Sequence, residues 1–198
     1  MDDEDIEVAL DPLELFSRWM KEAEASEPND PSAVALATAT PDGMPSVRMV
    51  LMKGVDKRGF SFYTNSESQK GEELRQNPRA SMCFHWKSLR RQVRIAGSVT
   101  ELPHVEADLY FHSRPRLSRL AATASQQSRV LSSREMLISR VQELDAEFPG
   151  EVPRPAYWKG FVLRPERIEF WKSREGRLHD RLLYIRDGGG WRKERLFP

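Results

Sequence analysis

Hydrophobic positions along this chain change their period several times, and each change marks an element. Over residues 11–26 they recur at helical spacing: Leu13, Phe16 and Met20 form a stripe that Leu15 and Trp19 widen. Asp11 is placed to cap this helix and Pro12 suits its first position. From residue 33 the period falls to two. It predicts strands over 33–40, 46–55 and 60–65, with turns in "PDGMP" and "DKRG" between them. A short helix is predicted within 66–78, capped by Ser66 or Ser68, with Pro78 beyond its end. Residues 79–86 alternate cleanly: Ala80, Met82, Phe84 and Trp86 face one way, Ser81, Cys83 and His85 the other. A fifth strand follows over 91–102. Short antiparallel strands in this arrangement suggest a barrel.

Residues 103–148 change character. "PHVEADLYFHSRP" and "SSREMLISRVQELDAEF" read as helices, with 116–131 between them unassigned. A proline-rich crossing, "PGEVPRPAYW", leads back to strands at 159–165 and 167–171 and to a closing hairpin over 180–196. The expected organisation is a single mainly β domain with helices (α+β) over 11–198. A helical insertion at about 103–148 interrupts it, and a mobile acidic N-terminus over 1–10 precedes it.

Composition narrows the function classes. The chain is 39% hydrophobic, enough for a core but a thin one, so burial against a second copy is expected. A net charge of +1 argues against a bulk electrostatic grip on nucleic acid. The one cysteine, Cys83, excludes an internal disulfide and reads as an inert buried thiol between Met82 and Phe84. No run approaches the roughly 18 apolar residues of a membrane span. The acidic start "MDDEDIEVAL" is unlike a secretory or transit peptide. A soluble cytoplasmic protein, without membrane or nucleic-acid partners, is the expectation.

The candidate chemistry lies in small basic groups. Arg48 and Lys53 are five apart on one predicted strand, which turns them to opposite faces. They could serve two neighbouring ligands, or one is simply solvated. Lys70 sits at a helix start, where free N–H groups favour an anion. "YFHSRPRLS" offers Tyr110, Arg114, Arg116 and Ser118, donors suited to phosphate. "RLHDR" adds Arg177, His179 and Arg181 near the end of the chain. Each group also has a plain structural reading, as a solvated charge, a helix-end cation or a hydrogen-bonded histidine. The four histidines are scattered, so no metal site is expected, and no phosphate-loop or nucleophile-elbow signature appears. The residues alone indicate a β-barrel domain that binds a phosphorylated small molecule.

Several separated segments go further: "RMVLMK", "FYTN", "NPRAS", "RQVR", "YFHSRPR", "QQS", "IEFW", "RLHDR" and the terminal tryptophan-to-proline stretch. In this order and spacing, over roughly 12–198, the chain resembles the pyridoxine/pyridoxamine 5′-phosphate oxidase family. The resemblance implies a split β-barrel of the FMN-binding type, a homodimer, and FMN at the subunit interface. It assigns Arg48, Met49, Val50, Lys53, Tyr63, Thr64, Gln69, Lys70, Gln92, Gln127, Ser128, Trp171 and Arg181 to the flavin. It assigns Lys53, Tyr110, Arg114, Ser118, Arg177 and His179 to the substrate, with Arg177 and His179 as the catalytic pair and no metal. The implied reaction, in vitamin B6 metabolism, moves a hydride from C4′ of pyridoxamine or pyridoxine 5′-phosphate to flavin N5. Dioxygen takes the electrons, and pyridoxal 5′-phosphate and hydrogen peroxide are the products.

Three departures from the family pattern stand out. Gln69 replaces a usual arginine, the N-terminal arm is acidic where some members carry a basic one, and Lys159 replaces a common glycine. Two alternatives remain: a flavin enzyme on the same barrel with another substrate, or a non-catalytic carrier of flavin or pyridoxal phosphate.

Overall fold

Capping decides where the first helix begins. Asp11 accepts a hydrogen bond from the Leu13 amide at 2.7 Å, Pro12 takes the first position, and α1 runs Pro12–Ser26. A computed structural model describes residues 11–198; the expected mobile acidic segment over 1–10 lies outside them. The apolar stripe of α1 (Leu15, Phe16, Trp19, Met20, Ala23) is buried. Phe16 lies edge-on to Phe60 at 4.8 Å and to Phe84 at 5.1 Å, and Trp19 meets Phe170 at 5.2 Å. Full burial of a side chain such as Phe16 is worth about 1.5–3 kcal/mol, so the helix, rather than solvent, covers this face of the sheet.

That sheet has nine strands: β1 (Ala33–Ala39), β2 (Pro45–Leu51), β3 (Gly54–Asp56), β4 (Gly59–Asn65), β5 (Arg79–Trp86), β6 (Arg91–Glu101), β7 (Trp158–Lys172), β8 (Asp180–Asp187) and β9 (Gly190–Arg195). Its order is β2-β1-β5-β6-β7-β4-β3, with β8 on β7 and β9 on β8. Every pairing is antiparallel. The first half of β7 pairs with β4 and the second with β8, while β6 follows it along both. This is the curled sheet of a split barrel. The alternation expected over 79–86 holds: Ala80, Met82, Phe84 and Trp86 point into the core.

Three elements differ from the sequence expectation. The strand expected over 46–55 is two strands. After Leu51 the backbone leaves β1 and changes partner: Met52 N donates to Ser32 O at 3.0 Å, and Lys53 N donates to Ser61 O at 2.8 Å. The argument that Arg48 and Lys53 face opposite ways on one strand is therefore wrong, because the break re-aims Lys53. The strands expected at 159–165 and 167–171 are one strand with a bulge. The register against β6 shifts between Ala96 and Gly97, which leaves Glu166 without a cross-strand partner. Only glycine fits there, since a Cβ on Gly97 would lie 1.9 Å from the Arg164 carbonyl oxygen.

The third difference is helical. Besides α2 (Gln69–Gln76), the chain forms α3 (His104–Ser113), α4 (Arg116–Ala124) and α5 (Arg134–Glu147). The unassigned stretch 116–131 thus contains α4. Pro115 ends α3 and begins α4 directly. Only Leu120 of α4 is buried, yet Leu117, Leu120, Ala121 and Ala124 recur at helical spacing, a signal that could have announced the helix. A second core of Ala107, Phe111, Leu120, Leu144, Val152 and Trp158 packs these helices against the start of β7. Arg116 ties α4 to α5, donating to Asp145 Oδ1 at 2.8 Å.

Candidate active site

A cleft of about 780 Å³ opens between β2, β4, the start of α2, the α3–α4 junction and the loop after α4. Of the site residues expected between 48 and 128, all but Gln92 line it: Arg48, Met49, Val50, Lys53, Tyr63, Thr64, Gln69, Lys70, Tyr110, Arg114, Ser118, Gln127 and Ser128. Arg48 and Lys53 thus share one cleft.

At one end the cations are tied down. Ser68, the one of the two candidate serines that caps α2, accepts from Gly71 N. Next to it Lys70 is almost fully buried. Its Nζ donates to Ser68 Oγ at 3.1 Å and to Gln127 Oε1 at 2.9 Å, which leaves one N–H. Burial, and then the Arg48 charge, push its pKa down to about 8 against the opposing pull of Glu73. The Arg48 guanidinium donates through Nη1 to Leu36 O and Thr38 Oγ1, and through Nη2 to Ser46 Oγ and Glu73 Oε2.

Glu73 is the hub of this end. It is buried and accepts from Thr38, from Ser46 at 2.6 Å, from Arg48 at 3.4 Å and from Gln69 Nε2 at 3.0 Å. Burial raises its pKa, but the bonds from Ser46, Thr38 and Gln69 and the Arg48 charge outweigh that, and the net shift is downward. The Gln69 amide therefore points at Glu73. The Gln69 backbone N–H donates to Ser128 Oγ at 3.2 Å, and Ser128 is held at φ 71°, a conformation uncommon outside glycine.

The other end is built from rings. Tyr63 stacks on Tyr110 at 4.3 Å and on Trp158 at 5.3 Å, with interplanar angles of 25° and 12°. Gly160 makes this possible, because a Cβ there would lie 2.7 Å from Tyr63 Cε1. Arg114 sits over the Trp158 ring at 5.2 Å and the Phe111 ring at 5.9 Å. Its Nη1 is buried with no hydrogen-bond partner, and among the described residues no carboxylate pairs with it. Burial lowers its pKa, opposed by Tyr110.

Gln92, Trp171, Arg177, His179 and Arg181 do not line this cleft. Gln92 pairs with Trp171 across β6 and β7, and Trp171 pairs with Arg181 across β7 and β8. The Trp171 and His179 rings are 4.7 Å apart. Arg181 donates to Glu169 Oε1 at 2.8 Å and to the Phe197 carbonyl at 2.9 Å. His179 Nδ1 accepts from the Arg174 backbone N–H at 3.1 Å, so the proton of the neutral ring is on Nε2. Arg177 is exposed, its side chain makes no hydrogen bond with the described residues, and it is held at φ 62°. The expected site residues thus form two groups within one chain.

Two family models cover most of the chain. Residues 20–147 match the model described as pyridoxamine 5′-phosphate oxidase, and residues 158–198 match the pyridoxine 5′-phosphate oxidase C-terminal dimerisation region. The chain belongs to the pyridoxamine 5′-phosphate oxidase family. A pyridoxine/pyridoxamine 5′-phosphate oxidase of Gluconobacter oxydans is 57% identical over 194 residues, covering 98% of this chain and 97% of that protein. One of the same name from Brucella anthropi is 54% identical, covering 98% of each. Among solved structures, PhzG from Burkholderia lata, in complex with tetrahydrophenazine-1-carboxylic acid, superposes with a TM-score of 0.94. It is 36% identical and covers 100% of this chain and 98% of that one. An FMN-binding protein of Nostoc punctiforme shares the fold at a TM-score of 0.76 and 18% identity, over 96% of this chain and all of that one.

Membership fits the oxidoreductase class and the split barrel expected from the sequence. Ser46, Val47, Leu51, Pro115 and Trp158 line the cleft without having been anticipated, and Glu73, equally unanticipated, stands behind its Arg48 end. Glu73 lies four positions after Gln69 on one helix, a spacing that brings side chains together and could have flagged it. Trp158 closes the proline-rich crossing, and nothing local in the sequence marks it. Lys159, the departure from glycine, donates to both Glu101 oxygens, at 2.8 and 2.9 Å. Cys83 is half-buried rather than buried as expected, because it lies on the opposite face of β5 from Met82 and Phe84; partial burial still raises its pKa. Among the described residues no group of three His, Cys, Asp or Glu could hold a metal ion, and no helix is long and apolar enough to cross a membrane.

Proposed function

We propose that this protein oxidises pyridoxamine 5′-phosphate and pyridoxine 5′-phosphate to pyridoxal 5′-phosphate, with FMN as cofactor and dioxygen as acceptor, as a homodimer. The observation that carries the reading is one cleft with two separate phosphate-ready ends, Lys70 with Arg48 and Arg114 with Ser118. A flavin mononucleotide and a phosphorylated pyridine together present two phosphates.

The donor set fits FMN. Lys70 keeps one N–H beyond its two neutral partners, and Ser128, Gln127 and Thr64 line the same end. Arg48 spends its Nη protons on the protein, so it contributes charge more than a two-pronged grip. When bound, FMN accepts two electrons from the substrate and passes them to dioxygen. The remaining steps belong to this chain. Arg114, Ser118, Tyr110 and Lys53 receive the substrate phosphate. Arg177 brings positive charge to the substrate ring, and His179, fixed as an Nε2 donor, orients it.

Arg177 and His179 do not line the cleft of their own chain, and a second copy would supply them. Two features support this. The C-terminal region matches a dimerisation region. Beside the cleft, edge strand β2 exposes Val47 by 69%, Met49 by 63% and Leu51 by 40%.

The test is aerobic turnover of pyridoxamine 5′-phosphate by FMN-reconstituted protein, with aldehyde and peroxide both measured. Equal amounts of the two are expected. Bound FMN without turnover would leave a flavin carrier. The PhzG match favours a second reading, oxidation of a carboxylate-bearing polycyclic substrate. Turnover of tetrahydrophenazine-1-carboxylic acid, with none of pyridoxamine 5′-phosphate, would select it.

A further inference from the structure

The geometry points to Trp158 as a positioning residue for substrate: its ring supports the Arg114 cation without occupying its N–H donors, so that Arg114 can take the substrate phosphate. The inference rests on the proposed reading of Arg114 as a phosphate ligand and names the residue that makes it one.

A buried guanidinium needs something to offset the loss of water. The usual answer is a carboxylate, which neutralises the cation and occupies its N–H groups. An aromatic face is a different answer. Its negative potential attracts the cation yet accepts none of its in-plane donors. Half-buried Arg114 has the second arrangement: Trp158 at 5.2 Å, Phe111 at 5.9 Å, no carboxylate among the described residues, and a buried Nη1 without a partner there.

Trp158 is itself fixed from three sides. Tyr63 stacks on it at 5.3 Å and Tyr110 at 6.0 Å, while Phe111 meets it edge-on at 5.1 Å. Its backbone N–H donates to Pro155 O at 2.9 Å, and its carbonyl accepts from Arg154 Nη1 at 2.6 Å. Arg154 in turn reaches Asp108 on α3 at 2.6 Å, which locks the crossing to the helix that carries Tyr110. The ring is therefore a rigid floor under a cation with open donors.

The experiment compares Trp158→Phe, which keeps a ring face, with Trp158→Met, which fills the space without one. Both are read on FMN-loaded protein, by KM for pyridoxamine 5′-phosphate and by the inhibition constant of inorganic phosphate. Trp158→Met is expected to raise both constants about tenfold while kcat changes less than threefold; Trp158→Phe is expected to stay within about threefold on all of them. Because the position is buried, fluorinated tryptophans provide a variant-free check. They keep the ring's shape but weaken its negative face, so the phosphate constant should rise stepwise with fluorination in the wild type and stay flat in Arg114→Ala. Equal constants for the Phe and Met variants, or no response to fluorination, would overturn the role of the ring. If Arg114→Ala itself leaves both constants unchanged, the phosphate reading of Arg114 fails, and the inference with it.

Discussion

Arg48 and Arg114 line the same cleft and are stabilised in opposite ways. Arg48 donates to a buried carboxylate, two hydroxyls and a carbonyl, and Glu73 cancels its charge locally. The Arg114 guanidinium donates to none of the described residues and rests on rings. The first arrangement builds a permanent wall; the second keeps a cation in reserve. On the proposed reading, that difference suits a cofactor that stays and a substrate that comes and goes. Arg177 is a third case, exposed and without a side-chain hydrogen bond among the described residues. In the proposed reading, its role depends on what a second copy presents to it.

The largest expected effect is at this free cation. Arg177→Ala should lower kcat by about 10²–10³-fold, in line with removal of one preorganised electrostatic group. FMN affinity should change less than threefold. A kcat within a factor of five of wild type would remove Arg177 from the chemistry.

Arg48→Ala comes next and should act on the fold as much as on the flavin. It leaves Glu73 buried without its cation, a loss of about 3 kcal/mol. Chemical denaturation of the ligand-free protein reads this directly, and an unchanged midpoint would mean that Glu73 does not depend on Arg48. Glu73→Gln should cost clearly less, because the amide still accepts from Ser46 and Thr38.

A smaller effect is tied to pH. Folded Lys70 releases its proton near pH 8, below the ordinary lysine value of 10.5. Between those values the unfolded chain binds more protons, so the ligand-free protein gains stability as pH rises through the window. Its grip on a phosphate dianion moves the other way. The dissociation constant of FMN, followed by quenching of flavin fluorescence, should rise about tenfold from pH 7 to 9. A flat profile in Lys70→Met would assign the effect to Lys70, and a flat wild-type profile would refute it.

The smallest effect concerns the neutral amide. Gln69→Arg restores a cation beside Glu73 and should tighten FMN about fivefold, within the range of one added charge-assisted bond. Weaker binding would mean that the Gln69–Glu73 hydrogen bond is itself what shapes the flavin end.

Much of this was legible along the chain. The stripe of α1, its Asp11 and Pro12 start, and the alternation of β5 follow from local periodicity and capping, which need only near neighbours. The motif order was enough to indicate the family and the split barrel. Less visible were the break after Leu51 and the bulge at Gly97, because both depend on which strand lies alongside. Helix α4 was legible in the spacing of Leu117, Leu120, Ala121 and Ala124 but left unassigned. Of the cleft residues, the basic ones stood out by type, and Tyr63, Thr64, Gln69, Tyr110, Ser118, Gln127 and Ser128 were indicated by the family motifs. Glu73 and Trp158 did not stand out, since their importance comes from what they touch.

The sequence by itself determined most of the elements, the family and the identity of the cations, because these are properties of residue type and local spacing. Tertiary structure alone decided how those cations behave. It put Arg48 against a carboxylate and Arg114 over a ring, brought Lys53 into the cleft of Arg48, and kept Arg177 and His179 away from the cleft of their own chain. Charge and hydrogen-bonding capacity are fixed by the side chain, but how much of either is left for a ligand depends on the groups that packing places within a few ångströms.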